Sequence, residues 1–295
     1  MHARHFLQLV FLSAVWGASF PLIRIAAPAF GPLPLACLRC ALAAVVLTIL
    51  MRATGQGWPK RTHWPAITVL SVLTVVAPFV LFNGAGLVLP SGYSAVLNAT
   101  APLFGVVAGA MFAQERLTVR KMIGCAAGLG GVALLVRLGP VEPDWRVVLA
   151  VLACVAASAS YGFGAILMKR ATLAHQPLPA SAAVHIAGAL VLLLPAAVTA
   201  PSVEWRTDAL VALAVLGTFT SGFMYLISMR LMREIPASAA TSSAFLIPMF
   251  GVTWGGLFLG EPFTAGMVPG VALVLLACAL VTGFNPFRLL AQARR

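Results

Sequence analysis

The sequence contains few charged residues and very few acidic ones. Asp, Glu, Lys and Arg make up 9% of its 295 residues, and only seven residues are Asp or Glu. An ordinary soluble domain carries about 25% charged residues. A soluble protein of this size could not cover its apolar surface with so few polar groups. The scarcity of charge excludes a soluble enzyme, a disordered chain and a secreted disulfide scaffold.

The sequence also lacks the motifs that support chemistry within a membrane. It has no His-Glu-x-x-His zinc motif, no Gly-x-Ser-x-Gly nucleophile elbow, no pair of buried aspartates and no phosphate-binding Walker loop. The spacing of Cys37 and Cys40 is typical of redox or zinc sites, but no second pair accompanies it, which favours simple packing. We expect neither an enzyme nor a cofactor or metal.

Apolar residues are abundant instead. They form 61% of the chain, and the mean hydropathy is +1.01. Apolar runs of about 20 residues are long enough to cross a bilayer as helices. They predict an all-α polytopic membrane protein with ten spans, at residues 6–27, 33–51, 64–87, 92–113, 118–136, 145–168, 178–199, 206–229, 236–259 and 264–284.

The basic residues predict the orientation. Ten spans put both termini on one side of the membrane, and the tails and loops of that side carry fourteen Lys and Arg residues against three on the other. Short cytoplasmic loops are enriched in these residues. We therefore expect a bacterial inner-membrane protein with both termini in the cytoplasm, and the charge of +12 does not indicate a nucleic-acid partner.

The chain also repeats itself. Sliding it by 146 residues aligns Pro102 with Pro248, Phe104 with Phe250, Gly105 with Gly251, Glu115 with Glu261, Phe79 with Tyr225, and Arg39 with His185. A slide of 145 aligns Trp16-Gly17 with Tyr161-Gly162. Each copy, at residues 1–144 and 145–295, has five spans, so the second copy is predicted to be inverted. Inverted repeats are typical of secondary transporters, whose binding site lies near the midplane at the repeat interface.

These repeated motifs resemble the drug/metabolite transporter superfamily, EamA branch. The resemblance covers essentially the whole chain, and within the branch the sequence is similar to the YddG-type exporters of aromatic and other neutral amino acids. It implies ten helices around a central cavity and alternating access.

Polar and aromatic residues inside the spans are candidates for lining this cavity. Buried Trp and Tyr need hydrogen-bond partners, and Asn is costly if it faces lipid. The candidate substrate-binding residues are Trp16, Ser19, Phe79, Asn83, Asn98, Tyr161, Ser221 and Tyr225. There are two alternatives. The aromatic side chains could lie at the membrane–water interface, and the Asn side chains could form hydrogen bonds between helices.

Prolines and glycines of spans four and nine are candidate hinges. Proline removes a backbone hydrogen bond and bends a helix, and glycine permits close approach. Pro102 and Gly105 lie on one helical face, and Pro248 and Gly251 repeat the arrangement. Static packing through small residues spaced by four is the alternative.

Charged residues near the span ends suggest two clusters that alternate as gates. Arg24 and Arg39 lie toward the outer ends of their spans, on the side of Glu261. Lys169 lies toward the inner end of its span, on the side of Glu115. Snorkelling of long basic side chains is the alternative.

No Asp or Glu lies in the middle of any predicted span. Exporters that exchange protons for lipophilic cations usually need a buried carboxylate there. Its absence favours a neutral or zwitterionic substrate that moves down its own gradient. We expect a monomeric exporter of neutral amino acids in the lipid bilayer. Export of another metabolite or drug, with proton coupling, is the first alternative, and an intramembrane enzyme is a second of a different class.

Overall fold

The computed structural model describes residues 3–112, 118–138, 141–142, 144–200, 203–234 and 243–282. These residues form helices and contain no strand. The first half contains α1 (Ala3–Phe30), α2 (Pro32–Ala53), a 3₁₀ turn (Arg61–His63), α3 (Trp64–Ser71), a first π-helical segment (Val72–Val76), α4 (Ala77–Ala85), α5 (Ser91–Asn98), α6 (Ala101–Met111) and α7 (Val119–Leu138).

The second half has a similar order of elements. It contains α8 (Trp145–Ala174), α9 (Pro177–Thr199), α10 (Thr207–Val215), a second π-helical segment (Leu216–Phe223), α11 (Met224–Glu234), α12 (Ser243–Leu259) and α13 (Met267–Thr282).

Seven helical stretches are long and apolar enough to cross a membrane. They are Leu7–Phe30, Pro32–Ala53, Arg61–Ala85, Ser91–Met111, Trp145–Thr172, Pro177–Thr199 and Thr207–Glu234. The helices α7, α12 and α13 lie at the positions of predicted spans five, nine and ten. The chain is therefore an all-helical polytopic membrane protein. The count of ten spans, the inverted repeat and the boundary between residues 144 and 145 stay predictions.

Local sequence explains where several helices begin. Gly31, with a φ of +75°, separates α1 from α2, and Pro32 begins α2 at a position where a missing N–H costs nothing. Asp144 caps α8, because its carboxylate accepts a hydrogen bond of 2.8 Å from the Val147 N–H.

The helices of one half pack mainly against those of the other. The helix α1 packs along α12, and α8 packs along α4 and α6. The helix α2 packs along α9 and the second π-helical segment, and α7 packs along α13. Small side chains such as Ala26 and Ala182 are completely buried at these interfaces, whereas Leu194 and Val198 are exposed on the outside, where lipid would solvate them.

Candidate functional site

A buried guanidinium contacts three of the predicted binding residues. Arg39 on α2 is only 3% exposed. It donates from Nη1 to Asn83 Oδ1 at 3.4 Å and from Nη2 to Ser221 Oγ at 3.3 Å. Its Cζ atom lies 3.8 Å from the centroid of the Phe79 ring. Three predicted substrate-binding residues therefore meet around a residue that the sequence assigned to a gate.

The equivalent positions of the second half also pair a basic residue with an aromatic one. His185 on α9 lies edge-on to Tyr225 on α11, with the ring centroids 4.9 Å apart. Its Nδ1 lies 2.9 Å from Ser181 O, and the Tyr225 hydroxyl lies 3.1 Å from Thr74 Oγ1. His185 and Thr74 were not among the predicted site residues, although the slide of 146 residues already aligned His185 with Arg39.

Both π-helical segments accept hydrogen bonds from the opposite half of the chain. Trp16 Nε1 on α1 donates to Thr220 O in the second segment at 3.1 Å. Ser160 Oγ on α8 donates to Leu73 O in the first segment at 2.8 Å. The i→i+5 bonding of π-helices is rare and occurs mostly as single turns, often at functional sites. The two segments overlap when the chain is slid by 146 residues.

The remaining predicted binding residues are spread over neighbouring helices. Tyr161 on α8 stacks on Phe82, with centroids 6.2 Å apart and an interplanar angle of 27°. Ser19 on α1 is buried. Asn98, the last residue of α5, is half-buried, and its side-chain oxygen has no hydrogen-bond partner within the part of the chain that the structure describes.

The predicted hinge residues lie at a helix break and at helix crossings. The predicted fourth span is divided between α5 and α6 by a turn at Ala99 and Thr100, and Pro102 lies in the first turn of α6. Pro248, the equivalent of Pro102 in the second half, lies inside the continuous helix α12.

Gly105 and Gly251 each lie against a glycine in the first helix of the other half of the chain. Gly105 lies where α6 crosses α8 at Gly162, and Gly251 lies where α12 crosses α1 at Gly17. These contacts match the packing role that the sequence left open for the two glycines, and the hinge role stays a prediction.

The predicted outer charge cluster is not formed in this conformation. Glu261 caps the N-terminus of α5: its carboxylate accepts from Ser91 N at 2.8 Å, from Ser91 Oγ at 2.7 Å and from Gly92 N at 3.3 Å. Unpaired N–H groups and the helix dipole make such an end a favourable partner for a carboxylate. Arg24 instead donates to Gly86 O at 2.9 Å, and Arg39 lies in the interior.

Only half of the predicted inner cluster can be placed. Lys169 is exposed on α8, and Glu115 lies outside the described residues. Arg233 on α11 donates to Thr172 O and His175 O, which ties the end of α11 to the end of α8.

A cleft of about 500 Å³ is lined by Trp58, Pro59, Arg61, Trp64 and Ile186. The ring centroids of His63 and His175 are 4.7 Å apart. Partial burial, together with the neighbouring His63, lowers the pKa of His175 below its usual range. The two rings are therefore best accommodated when His175 is neutral.

Comparison with known proteins agrees with a transport role. Relatives include the "Uncharacterized transporter YvbV" of Bacillus subtilis, 26% identical over 93% of this chain and 90% of its own length. The "Probable terminal-alkyne amino-acid exporter" of Streptantibioticus cattleyicolor is 27% identical over 90% of this chain and 87% of its own. The "S-adenosylmethionine/S-adenosylhomocysteine transporter" of Chlamydia trachomatis is 27% identical over 92% and 88%.

Structural and family comparisons cover most of the chain. A solved crystal structure superposes with a TM-score of 0.64 at 18% identity, covering 92% of this chain and 98% of its own, and this likeness concerns the fold alone. The sequence profile of the EamA-like transporter family matches residues 6–137 and again residues 148–283. The chain therefore belongs to the EamA-like transporter family and is a membrane transporter.

Proposed function

We propose that this transporter exports aromatic and other neutral amino acids across the inner membrane, without a coupling ion. The observation that carries the proposal is the composition of the interior site. Its described side chains are aromatic rings, hydroxyls, an amide, the guanidinium of Arg39 and the imidazole of His185, and none of them is a carboxylate. A site without a buried carboxylate lacks the group that most often exchanges a proton for a cationic drug.

An amino acid suits such a site chemically. Aromatic walls such as Phe79 and Tyr161 match an apolar side chain, and hydroxyl and amide groups match the polar backbone atoms of the substrate. The names of two relatives support the substrate class. One is a probable exporter of an amino acid, and the other is a transporter of S-adenosylmethionine and S-adenosylhomocysteine, molecules that carry an amino-acid group. The latter name favours a larger metabolite as the second candidate substrate.

We infer that transport proceeds by alternating access of two inverted five-helix repeats, with both termini in the cytoplasm. Two successive matches to one family profile support a repeat. Reciprocal packing supports it as well, since α1 packs on α12 and α8 packs on α6. The two π-helical segments at aligned positions are a third support. The distribution of Lys and Arg supports the orientation.

Exchange in proteoliposomes tests the function. The purified protein is reconstituted into vesicles loaded with unlabelled phenylalanine, and uptake of radiolabelled phenylalanine is followed with and without a pH gradient. We expect exchange at the same rate in both conditions, and no uptake into protein-free vesicles. Exchange that requires the gradient would contradict the absence of coupling, and no exchange of any neutral amino acid would contradict the substrate class.

The same assay tests the hinge. We expect Pro102→Ala to slow exchange and to raise the thermal stability, because the new N–H can bond Asn98 O and straighten the rod formed by α5 and α6. One added hydrogen bond stabilises by roughly 1 kcal/mol. Pro28→Ala, at an exposed position in α1, is the control and should leave the exchange rate unchanged. Wild-type rates in both Pro102→Ala and Pro248→Ala would refute the hinge role.

A further inference from the structure

Among the residues that the structure describes, none brings a compensating charge to the buried guanidinium of Arg39. An arginine side chain stays protonated at any physiological pH, and a charge inside a membrane protein is costly unless it is paired. Arg39 is 3% exposed and lies in the interior between α2, α4 and the second π-helical segment. A carboxylate is the partner that such a site requires.

None of the described acidic residues supplies that carboxylate. Glu142 and Glu204 are exposed, and Glu115 lies outside the described residues, in a predicted loop at a span end. Each of the other four has a different partner: Asp144 caps α8, Asp208 pairs with Arg206, Glu234 bonds His5, and Glu261 caps α5.

The protein groups that do contact Arg39 leave donors free. The hydrogen bonds to Asn83 and Ser221, at 3.4 Å and 3.3 Å, are longer than the usual range of 2.7–3.2 Å. The Nε–H has no partner among the described residues. His185 Nε2, which belongs to the same interior region, is likewise without a partner in the described structure. The guanidinium is held in place by neutral groups but is not saturated by them.

We propose that Arg39 binds the carboxylate of the transported substrate. This inference rests on the proposed function and deepens it, because it assigns the recognition of the substrate's negative end to one residue. Guanidinium and carboxylate form short, charge-assisted and often bidentate hydrogen bonds. Phe79 supports the guanidinium from one face, and Asn83 and Ser221 orient it from opposite halves of the chain. A bound carboxylate competes directly with Ser221 for the guanidinium and so acts on the contact between the halves.

Three probes separate the two ends of the substrate. Phenylalanine carries both charges, 3-phenylpropionate lacks the amine, and phenylalaninol lacks the carboxylate. Binding is measured as the concentration-dependent rise of the thermal unfolding midpoint of the purified full-length protein in detergent. We expect wild-type protein to bind phenylalanine and 3-phenylpropionate and to bind phenylalaninol at least about tenfold more weakly, because charge-assisted hydrogen bonds are lost.

Variants assign the effect to Arg39. Arg39→Gln should weaken phenylalanine binding at least about tenfold and abolish the preference over phenylalaninol, while Arg39→Lys, a point charge without the planar fork, should retain part of it. Arg52→Gln removes a charge from an exposed position of the same helix and should bind like wild type. Where Arg39→Gln does not fold, the wild-type preference among the three probes tests for a carboxylate site, and a folded Arg39→Lys variant with a weakened preference assigns that site to Arg39.

The outcomes distinguish this inference from the proposed function. Binding of 3-phenylpropionate without binding of phenylalanine supports the carboxylate site and overturns the amino-acid function. Equal binding of phenylalanine and phenylalaninol by wild type, or full binding by a folded Arg39→Gln variant, overturns the carboxylate site and leaves the amino-acid function standing. If wild-type protein binds neither phenylalanine nor 3-phenylpropionate, the inference is overturned.

Discussion

Gly162→Ala should destabilise the protein by roughly 3 kcal/mol, the upper end of the range for overpacking. A Cβ atom at Gly162 would lie 2.6 Å from Gly105 N and 2.7 Å from Phe104 Cβ, where α8 crosses α6. Backbone atoms cannot rotate away as a side chain can, so the two helices must separate. We expect a lower thermal unfolding midpoint and loss of most of the phenylalanine exchange.

The same crossing provides the control. Gly105→Ala should be neutral or should stabilise by up to about 1 kcal/mol, since alanine has the higher helix propensity. Its Cβ would lie 4.0 Å from Gly162, in ordinary contact. Equal midpoints for the two variants would mean that α6 and α8 are not packed as described.

Glu261→Ala should cost about 2 kcal/mol of stability, as expected for the loss of a charged helix cap. The Ser91 N–H, the Ser91 hydroxyl and the Gly92 N–H all lose their acceptor, and the loop after α12 loses its attachment to α5. Thermal unfolding in detergent measures the loss.

Two further variants separate charge from geometry at this cap. Glu261→Gln keeps an acceptor oxygen without the charge and should lose about half as much stability as Glu261→Ala. Glu204→Ala removes an exposed carboxylate and should have no effect. An unchanged midpoint in Glu261→Ala would rule out the cap as a stabilising contact.

The sequence was sufficient for the coarser fold class, an all-helical polytopic membrane protein, while the ten-span inverted repeat and the binding role of the site residues stay predictions. Long apolar runs predicted a helical membrane protein because each span must satisfy its own backbone hydrogen bonds. Polar and aromatic residues inside those runs gave Phe79, Asn83 and Ser221 as candidate site residues, and these three contact one guanidinium. A polar side chain in the middle of a membrane span costs free energy, so its presence there indicates a specific role.

The environment of Arg39 was not predictable in the same way. Counting residues from the span end suggested a position near the outer mouth, but depth along a helix does not specify which face a side chain occupies or which neighbours it meets. The contact with Ser221 depends on how α2 packs against the second π-helical segment. For the same reason Glu261 was assigned to a basic partner, whereas its donors are the Ser91 hydroxyl and the backbone N–H groups of Ser91 and Gly92 in α5.

The π-helical segments were missed because no residue type marks them. The first reads Val-Leu-Thr-Val-Val, an unremarkable apolar sequence, and the second contains Gly217 and Gly222. The feature that they share is a threonine at aligned positions, Thr74 and Thr220, whose hydroxyls bond the backbone four residues earlier. Such bonding is common for threonine in ordinary helices as well.

Each π-helical segment has the effect of one inserted residue. One residue corresponds to about 100° of rotation in an α-helix, so the faces before and after the segment are out of phase by that angle. Because of this rotation, the continuous helix formed by α3, the first π-helical segment and α4 packs against different neighbours at its two ends. The helix α3 packs against α9, whereas α4 packs against α8 and α2. Without it, the stripe of side chains that α3 presents to α9 would continue straight along α4. Phe79 and Asn83 would then be turned away from the guanidinium that they contact here.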